Sequence, residues 1–304
     1  MPKTLYIYDI SPFMYAGCRN QYSFFQQLVD TGSSWKSVRT PAGGISLLLN
    51  SIRDNINHGD VVFCTDRNPT IKKDMLPSYK YSRTHQENVR IEKGVAEYIL
   101  DACGCSIFAR AGYEADDIIY TIVRQCHEMY DDIVVYTGDS DLYFLVDHKV
   151  HIEPISTTTK RVTFENFENV LVHGKSYRYN TITFGKLLHG DTSDNIPALD
   201  KESQAVVKSL FGKESMWPML GDRDMLIHNL EIVCPKAALQ AKLVFPLTVE
   251  DIPTEFKRPD WETLCCFGNA MHNKNFRNYT KPDFDIEYHI QEMQSRGLYL
   301  EEVN

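Results

Sequence analysis

The sequence lacks the long apolar runs and cysteine patterns of membrane and secreted proteins. No run approaches the ~18 consecutive apolar residues that a membrane-spanning helix needs. The N-terminal stretch reaches Asp9 after a few apolar residues and has no small-residue cleavage site, so we expect no secretory signal. The eight cysteines form no recurring CxxC pair, which favours free thiols in a reducing cytosol. We therefore expect a cytoplasmic protein without a membrane partner.

The sequence also has little positive charge for a protein that would bind nucleic acid. Its formal net charge is −9, whereas a general nucleic-acid binder leans basic. The charge is unevenly distributed, because residues 67–93 carry seven basic and three acidic side chains and leave −13 for the rest. This distribution predicts a local docking surface in residues 67–93 and carboxylates concentrated elsewhere.

Short apolar runs alternate with helical patterns in the first part of the chain. The predicted strands are Thr4–Tyr8, Val61–Thr65, Ile133–Thr137 and, with a weaker pattern, Val150–Ile155. The predicted helices between them are Ile45–Ile56, Val89–Cys103 and Ala115–Met129. Such alternation is typical of an α/β fold with a mostly parallel central sheet.

Strand patterns fade after about residue 180. Helical patterns follow at Ile182–Leu188, Lys201–Phe211, Met225–Val233 and Lys236–Leu243. Because a chain of 304 residues is long enough for about two domains, we predict an α/β core over residues 1–180 and a mostly helical region over residues 181–304.

Aspartates follow three of the predicted strands. Asp9 ends the first, Asp66 follows the second, and Asp139 and Asp141 follow the third. In open α/β sheets the ligand site lies beyond the carboxyl ends of the strands. A single aspartate there is equally well a turn residue. The repetition after three strands favours a shared site.

Two further segments are rich in carboxylates. Glu114, Asp116 and Asp117 open a predicted helix, where capping is the alternative explanation. Asp191 and Asp194 lie in Gly-Asp-Thr-Ser-Asp-Asn-Ile-Pro, for which a simple turn is the alternative. The nine candidates are Asp9, Asp66, Glu114, Asp116, Asp117, Asp139, Asp141, Asp191 and Asp194.

Nine gathered carboxylates would need compensation for their charge. Two unit charges 4 Å apart repel by ~4 kcal/mol at an effective dielectric constant near 20. Either several carboxyls are protonated or hard cations lie among them. Oxygen-only ligands without His or Cys select Mg²⁺ or Mn²⁺ over zinc. This number of carboxylates fits two ions, the arrangement used in phosphoryl displacement.

The ordered motifs resemble the flap-endonuclease superfamily of 5′ nucleases, especially the compact phage forms that include ribonuclease H-type enzymes. The resemblance covers roughly residues 4–197 and rests on the two strand-Asp elements, Tyr-Lys-x-x-Arg, Glu-Ala-Asp-Asp, Gly-Asp-Ser-Asp-Leu and Gly-Asp-Thr-Ser-Asp-Asn-Ile-Pro. It implies a twisted, mostly parallel sheet flanked by helices. It further implies one metal site at Asp9, Asp66, Glu114, Asp116 and Asp139, and a second at or near Asp117, Asp141, Asp191 and Asp194.

The resemblance also implies an activity. We expect a Mg²⁺-dependent 5′-3′ nuclease with two ions, for which Mn²⁺ can substitute, cleaving DNA or RNA–DNA junctions near a free 5′ end. The expected role is removal of replication primers and flaps, in the host cytoplasm if the gene is a phage gene. Replication proteins such as a single-strand binding protein are candidate partners, and we expect a monomer.

The basic segment resembles the foot of the helical arch of this superfamily. Lys80 and Arg83, three residues apart, are expected to share a helical face and to meet the reacting phosphate as catalytic cations. Tyr79 and Tyr81 are candidates for stacking on unpaired bases. The predicted nucleic-acid contacts are Arg67, Lys72, Lys73, Tyr79, Tyr81, Lys201 and Lys208, although a solvated surface explains Lys72 and Lys73 equally well.

One motif of the superfamily is missing. After Ile196-Pro197 the family usually has a Gly-x-Gly hairpin that grips a duplex phosphate and K⁺, whereas this chain has residues 198–203, Ala-Leu-Asp-Lys-Glu-Ser. Duplex binding through Lys201, Lys208 or Lys213, or through a partner protein, is the alternative. Two other functions stay open: a non-catalytic nucleic-acid-binding replication scaffold and a PIN-like ribonuclease.

Overall fold

The structure is a computed structural model. It describes residues 3–17, 22–27, 36–83, 86–155, 161–166, 171–172, 175–176, 181–211, 223–271, 273–298 and 301–303. Lys213 lies outside these residues. Among the helices of the described ranges, none is long and apolar enough to span a membrane.

The elements are numbered in chain order. The strands are β1 (Thr4–Asp9), β2 (Tyr22–Gln27), β3 (Lys36–Pro41), β4 (Asp60–Cys64), β5 (Ser106–Phe108), β6 (Asp132–Thr137), β7 (Val150–Pro154), β8 (Leu171–Val172), β9 (Lys175–Ser176) and β10 (Glu301–Val303). The helices are α1 (Ile10–Gly17), α2 (Gly43–Arg53), α3 (Thr70–Met75), α4 (Glu87–Ala102), α5 (Ala115–Cys126), α6 (Thr181–His189), α7 (Lys201–Phe211), α8 (Arg223–Val233), α9 (Pro235–Val244), α10 (Trp261–Ala270) and α11 (Ile286–Ser295).

A five-stranded parallel sheet in the order β5-β4-β1-β6-β7 forms the centre of the fold. Its three central strands, β4, β1 and β6, are mostly buried, as expected when both faces of a parallel sheet are covered. In the pair β6-β7, Ile133 lies opposite Val150. The predicted α/β class and the four predicted strands are confirmed. Most of the strand ends differ from the prediction by one residue, and the others coincide with it.

The short strand β5 and the helix α1 were not predicted. Strand β5 has only three residues, too few for a periodic pattern. Helix α1 begins directly after Asp9, with no glycine or proline between it and β1 to mark the boundary. It packs closely on α2. A Cβ atom on Gly17 would lie only 1.9 Å from the backbone nitrogen of Gly44, so this approach requires glycine.

A second, antiparallel sheet has the order β10-β3-β2 and was also not predicted. In this sheet, Val38 of β3 lies opposite Phe25 of β2 on one side and opposite Glu302 of β10 on the other. The sequences of β2 and β3 mix polar and apolar residues without a clear alternation. Only pairing with neighbouring strands identifies such segments as strands.

The described residues after 180 are mostly helical, as predicted. Helices α6 to α9 bury a shared apolar core whose members include Leu187, Val207, Leu230 and Ala237. Pro235 occupies the first turn of α9, where its missing N–H costs no hydrogen bond. Helices α10 and α11 were not predicted; each begins after an aspartate whose side chain caps the first turn.

The chain forms two compact units, each discontinuous in sequence. The first comprises residues 1–7, 64–84 and 108–254, and contains α3, α5, β6, β7 and α6 to α9. The second comprises residues 8–63, 85–107 and 255–304, and contains α1, α2, α4, α10, α11 and the antiparallel sheet. A compact unit need not fold independently, so the predicted division at residue 180 stays a prediction.

Candidate active site

The first unit contains a pocket whose walls are mostly charged. Its acidic members are Glu114, Asp116, Asp139, Asp141, Asp191 and Asp194, and its basic members are Lys72 and Lys186. Tyr79, Ile196, Leu243, Val244 and Pro246 complete the wall. Six of the nine carboxylates predicted from the sequence therefore line one pocket.

Two chain segments bring four of these acids to the pocket. Glu114 and Asp116 lie at the N-terminal end of α5. Asp139 and Asp141 follow β6, where the chain turns into a 3-10 helix at Ser140–Leu145. The backbone N–H of Asp141 donates a 2.8 Å hydrogen bond to Oδ1 of Asp139, which caps this helix. The cap fixes the two aspartates relative to each other.

A tight loop after α6 brings the last pair. Gly190 has a φ of 74°, and a Cβ atom there would lie 2.3 Å from the carbonyl oxygen of Ile196. Asp191 and Ile196 exchange two backbone hydrogen bonds of 2.9 and 2.8 Å. Asn195 takes the left-handed conformation that asparagine tolerates, with φ 58°. The loop closes through these contacts and holds Asp191 and Asp194.

Glu114 is buried among donors. The ammonium of Lys72 and the hydroxyl of Tyr79 donate to its Oε2 at 2.8 and 2.7 Å, and Lys80 donates to its Oε1. Burial favours the neutral acid, but Lys72 and Lys80 outweigh it and hold the pKa of Glu114 well below its usual range. Glu114 is therefore a carboxylate held in place by the chain's own cations.

Asp194 has a similar set of partners. Arg83 donates to its Oδ1, the Tyr79 hydroxyl donates to its Oδ2 at 3.3 Å, and the Lys80 ammonium lies 3.6 Å from Oδ2. Lys80 and Arg83 thus both contact acids of the pocket, whereas their predicted contact with the reacting phosphate stays a prediction.

The predicted helical arrangement of Lys80 and Arg83 is wrong. Residues 77–82 form turns, and Lys80 itself has a left-handed backbone with φ 52°. Its backbone N–H donates to the carbonyl oxygen of Asp194 at 2.9 Å. The two cations converge because this turn is bonded to the Gly190 loop.

Lys186 joins two further acids of the pocket, Asp141 and Asp191, and was not among the residues predicted from the sequence. Its ammonium donates to Oδ2 of Asp141 at 2.5 Å and lies 2.6 Å from Oδ2 of Asp191. Burial and the nearby Asp139 raise the pKa of Asp141 above its usual range, against the effect of Lys186. The available sequence signal was its position in the last turn of α6, five residues before Asp191.

The other three predicted ligands, Asp9, Asp66 and Asp117, are not among the residues that line the pocket. Asp117 is fully buried, and its oxygens accept the backbone N–H groups of Glu114 at 2.8 Å and Leu247 at 2.5 Å, so the capping alternative accounts for it. Asp66 accepts the N–H of Ala115 at 2.9 Å. Asp9 ends β1 and is 3% exposed. Metal roles for these three stay predictions.

The predicted nucleic-acid contacts fall into two groups. Lys72 and Tyr79 are 4% and 2% exposed and bonded inside the pocket, so the structure does not place them to contact a docked strand. Tyr81 is 86% exposed. Arg67, Lys201 and Lys208 are also exposed, whereas Lys73 is half-buried and donates to the Asn68 side chain at 2.7 Å. The exposed members remain available for the predicted contacts.

The pocket fits a hard divalent cation in its chemistry. All six acids offer oxygen alone, the ligand that Mg²⁺ and Mn²⁺ prefer. Oδ1 of Asp141 and Oδ2 of Asp191 are buried, and each contacts the Lys186 ammonium. Over the described ranges, however, no three His, Cys, Asp or Glu side chains are arranged to hold a metal ion.

Part of the compensation expected for these acids comes from the chain itself. Protonation and bound metal were the sources expected from the sequence, and the structure adds Lys72, Lys80, Arg83 and Lys186, which lie among the carboxylates. Ion pairing within the chain therefore offsets part of the negative charge of the pocket.

A comparison of the sequence with models of protein families identifies the family of this chain. The model of the 5′-3′ exonuclease N-terminal, resolvase-like domain matches residues 5–171, more than half of the chain. The chain belongs to the 5′-3′ exonuclease family. The resemblance inferred from the motifs is thereby confirmed.

Relatives of this exonuclease-family chain include two bacterial DNA polymerases I. That of Caldicellulosiruptor bescii is 30% identical over 200 residues, which cover 63% of this chain and 23% of the polymerase. That of Streptococcus pneumoniae serotype 4 is 29% identical over 304 residues, covering 92% and 34%. The chain thus spans at most about a third of the length of these two relatives.

Solved structures share the fold of this exonuclease-family chain. Bacteriophage T5 D15 flap endonuclease, in a pseudo-enzyme–product complex with DNA and metal ions, has a TM-score of 0.53 at 15% identity and covers 96% of this chain and 98% of its own. T5 5′-exonuclease with bound zinc has a TM-score of 0.50 at 15% identity, covering 96% and 99%. At this identity the likeness shows the fold alone.

The missing glycine hairpin is replaced by a helix start. Asp200 accepts the backbone N–H of Ser203 at 2.8 Å and thereby caps α7, which begins at Lys201. The Lys236 ammonium, which donates to Asp200 at 2.7 Å, and this cap lower the pKa of Asp200. The family's nest of backbone amides is not built from these residues.

Proposed function

We propose that this chain is a structure-specific, divalent-metal-dependent 5′-3′ nuclease. It would hydrolyse phosphodiesters near 5′ ends at DNA or RNA–DNA junctions, as an exonuclease or flap endonuclease with ribonuclease H-type activity, and leave 5′-phosphates. The observation that supports this proposal is the pocket of six carboxylates and ion-paired cations in a member of the 5′-3′ exonuclease family.

The acids of the pocket are the proposed metal ligands. Glu114, Asp116 and Asp139 would hold one Mg²⁺, together with Asp66, and Asp141, Asp191 and Asp194 would hold a second, with Asp117 as support. The metal role of Asp9 stays a prediction from the sequence. Bound divalent ions, for which Mn²⁺ would substitute, supply positive charge that activates water and offsets charge on the phosphate. The caps at Asp139 and α5 hold these oxygens in place beforehand.

Lys80 and Arg83 are the proposed catalytic cations. Arg83 is half exposed and Lys80 is largely buried, with exposed side-chain fractions of 49% and 17%. Their positive charges would stabilise the phosphate in the transition state, where fixed donors are most effective. Tyr81 lies next to Lys80 in the chain and is exposed, so it would stack on an unpaired base.

The partners follow from the proposed reaction. The substrate would be DNA or an RNA–DNA hybrid with a free 5′ end, in primer and flap removal during replication. A monomer suffices for this chemistry, because all six pocket acids come from one chain. Single-strand binding protein is a candidate partner, and the host cytoplasm is the proposed location if the gene is a phage gene.

The test is a cleavage assay with three substrates. Incubation of 5′-flap DNA, nicked duplex and single-stranded RNA, each with Mg²⁺ or EDTA, should give Mg²⁺-dependent cleavage of the flap and the nicked duplex. A strict preference for RNA would instead indicate a PIN-like ribonuclease. Tight binding without cleavage of any substrate would indicate a replication scaffold.

A further inference from the structure

Lys186 occupies a position between two acids proposed as ligands of one metal ion. Its ammonium is 2.5 Å from Oδ1 of Asp141 and 2.6 Å from Oδ2 of Asp191. Both carboxylates are thus drawn to one cation. The side chain of Lys186 reaches them from the last turn of α6.

Lys186 is shared between the two carboxylates. It donates a hydrogen bond to Oδ2 of Asp141. It also makes ion-pair contacts with Oδ1 of Asp141 and Oδ2 of Asp191. One ammonium faces two carboxylates, so a negative charge remains when both are ionised. The site would hold a more highly charged cation better than it holds lysine.

We propose that Lys186 is a resident counter-ion that competes with a divalent cation for Asp141 and Asp191. It acts as a positioning residue, because it keeps the two carboxylates together before metal binds and must leave when metal arrives. This inference rests on the proposed function, which makes the two aspartates metal ligands. It adds that the chain itself limits the metal affinity of the pocket.

Lys186 is better suited to displacement than the other ammonium groups of the pocket. Its side chain is 25% exposed, compared with 17% for Lys80 and 5% for Lys72. Lysine carries its charge at the end of a flexible four-carbon stem, so the ammonium can move toward water without movement of α6. Lys72 has no comparable route.

The experiment is calorimetric titration of the full chain with Mn²⁺. Lys186→Met removes the charge and should lower the dissociation constant about ten-fold or more, equivalent to ~1.4 kcal/mol. Lys186→Arg keeps the charge and should stay close to wild type. Lys236→Met is the matched control, because Lys236 forms a 2.7 Å pair with Asp200 and is 71% exposed. A thermal melt in EDTA should show that Lys186→Met is destabilised. Addition of Mn²⁺ should then raise the melting temperature of this variant more than that of wild type.

The outcomes separate the two proposals. If wild type cleaves DNA and binds Mn²⁺ but Lys186→Met binds it no more tightly, the counter-ion role is overturned and the nuclease stands. Equal tightening in Lys186→Arg would also overturn it, since charge would not be the cause. If wild type neither binds Mn²⁺ nor cleaves, both proposals fall. Lys186→Gln provides the same measurement should Lys186→Met not fold.

Discussion

At the scale of single residues, burial decides the role of a charged side chain. Lys72 and Lys73 are neighbours in sequence, and both were candidates for a basic surface. Lys72 is instead buried with Glu114 at 2.8 Å and Asp117 at 3.4 Å. Lys73 contacts the side chain of Asn68. The sequence contains no local signal that distinguishes the two.

Removal of the buried ammonium should strongly destabilise the fold. Lys72→Met leaves Glu114 and Asp117 without their shared cation, and breaking a buried pair costs ~3–5 kcal/mol. Urea denaturation should show this loss, whereas Lys73→Met should stay within about 0.5 kcal/mol of wild type. Adding Glu114→Gln to Lys72→Met should recover part of the loss. A change below ~1 kcal/mol in Lys72→Met would contradict the importance of the pair.

A second single-residue prediction concerns the chemistry. Asp139→Asn removes a proposed ligand charge but retains an oxygen that can accept the N–H of Asp141. Cleavage of 5′-flap DNA should fall by more than ~100-fold, since even residues that only support metal ligands cost about 10- to 100-fold. DNA binding, measured by fluorescence anisotropy, should be nearly unchanged. Wild-type turnover in this variant would contradict the proposal that Asp139 is a metal ligand.

At the scale of elements, the loop after α6 depends on one glycine. Gly190→Ala would place a methyl group against the backbone of Ile196 and strain a positive φ, at ~1–2 kcal/mol for the conformation alone. Cleavage should therefore decrease together with thermal stability. Gly185→Ala is the matched control, because a Cβ there meets nothing within 4 Å and alanine favours the helix by ~0.5–1 kcal/mol. Equal activity of both variants would contradict this role of the loop.

Two helices of the second unit are joined by a buried acid. Glu92 of α4 accepts the backbone N–H groups of Gly44 and Ile45, at 2.6 and 3.2 Å, at the start of α2. The donors favour the carboxylate, but burial favours the neutral acid more and raises the pKa of Glu92 to about 7. The protonation of this one group is thus coupled to the packing of two helices.

This coupling predicts the sign of a pH dependence. Between the usual value of 4.5 and about 7, the folded state binds more protons than the unfolded state. The free energy of unfolding contributed by Glu92 should therefore fall as pH rises through this window, by up to ~3 kcal/mol. Denaturation of wild type and Glu92→Gln at several pH values measures the difference. Glu87→Gln, on the exposed face of α4, should not reproduce it.

At the scale of the whole molecule, the chain carries its own compensation for its acidic pocket. We therefore predict that EDTA abolishes cleavage of 5′-flap DNA while the protein stays folded at 25 °C. The free energy of unfolding should fall only by the amount that ligand release imposes, ~2.7 kcal/mol for an ion at 100 times its dissociation constant. Circular dichroism and restored cleavage on Mg²⁺ addition test this together. Loss of the helical signal in EDTA would show that metal, not lysine, holds the pocket.

The elements differ in how far sequence could predict them. Strands β1, β4 and β6 are buried apolar runs, so a few consecutive residues are enough to predict each of them. Strands β2 and β3 have no such pattern and exist through pairing with each other and with β10. The predicted boundaries of α7 match the structure, in which Asp200 caps the start of the helix.

The sequence alone determined that acids collect beyond parallel strands and that the chain resembles 5′ nucleases, because strand ends and short motifs are local properties. Only the tertiary structure decided which cation meets which acid. Arg83 and Asp194 are 111 residues apart, and Lys80 and Glu114 are 34 apart. Ion pairs at such separations depend on how turns and loops pack, and burial then determines whether a lysine is a surface charge or a partner in the pocket.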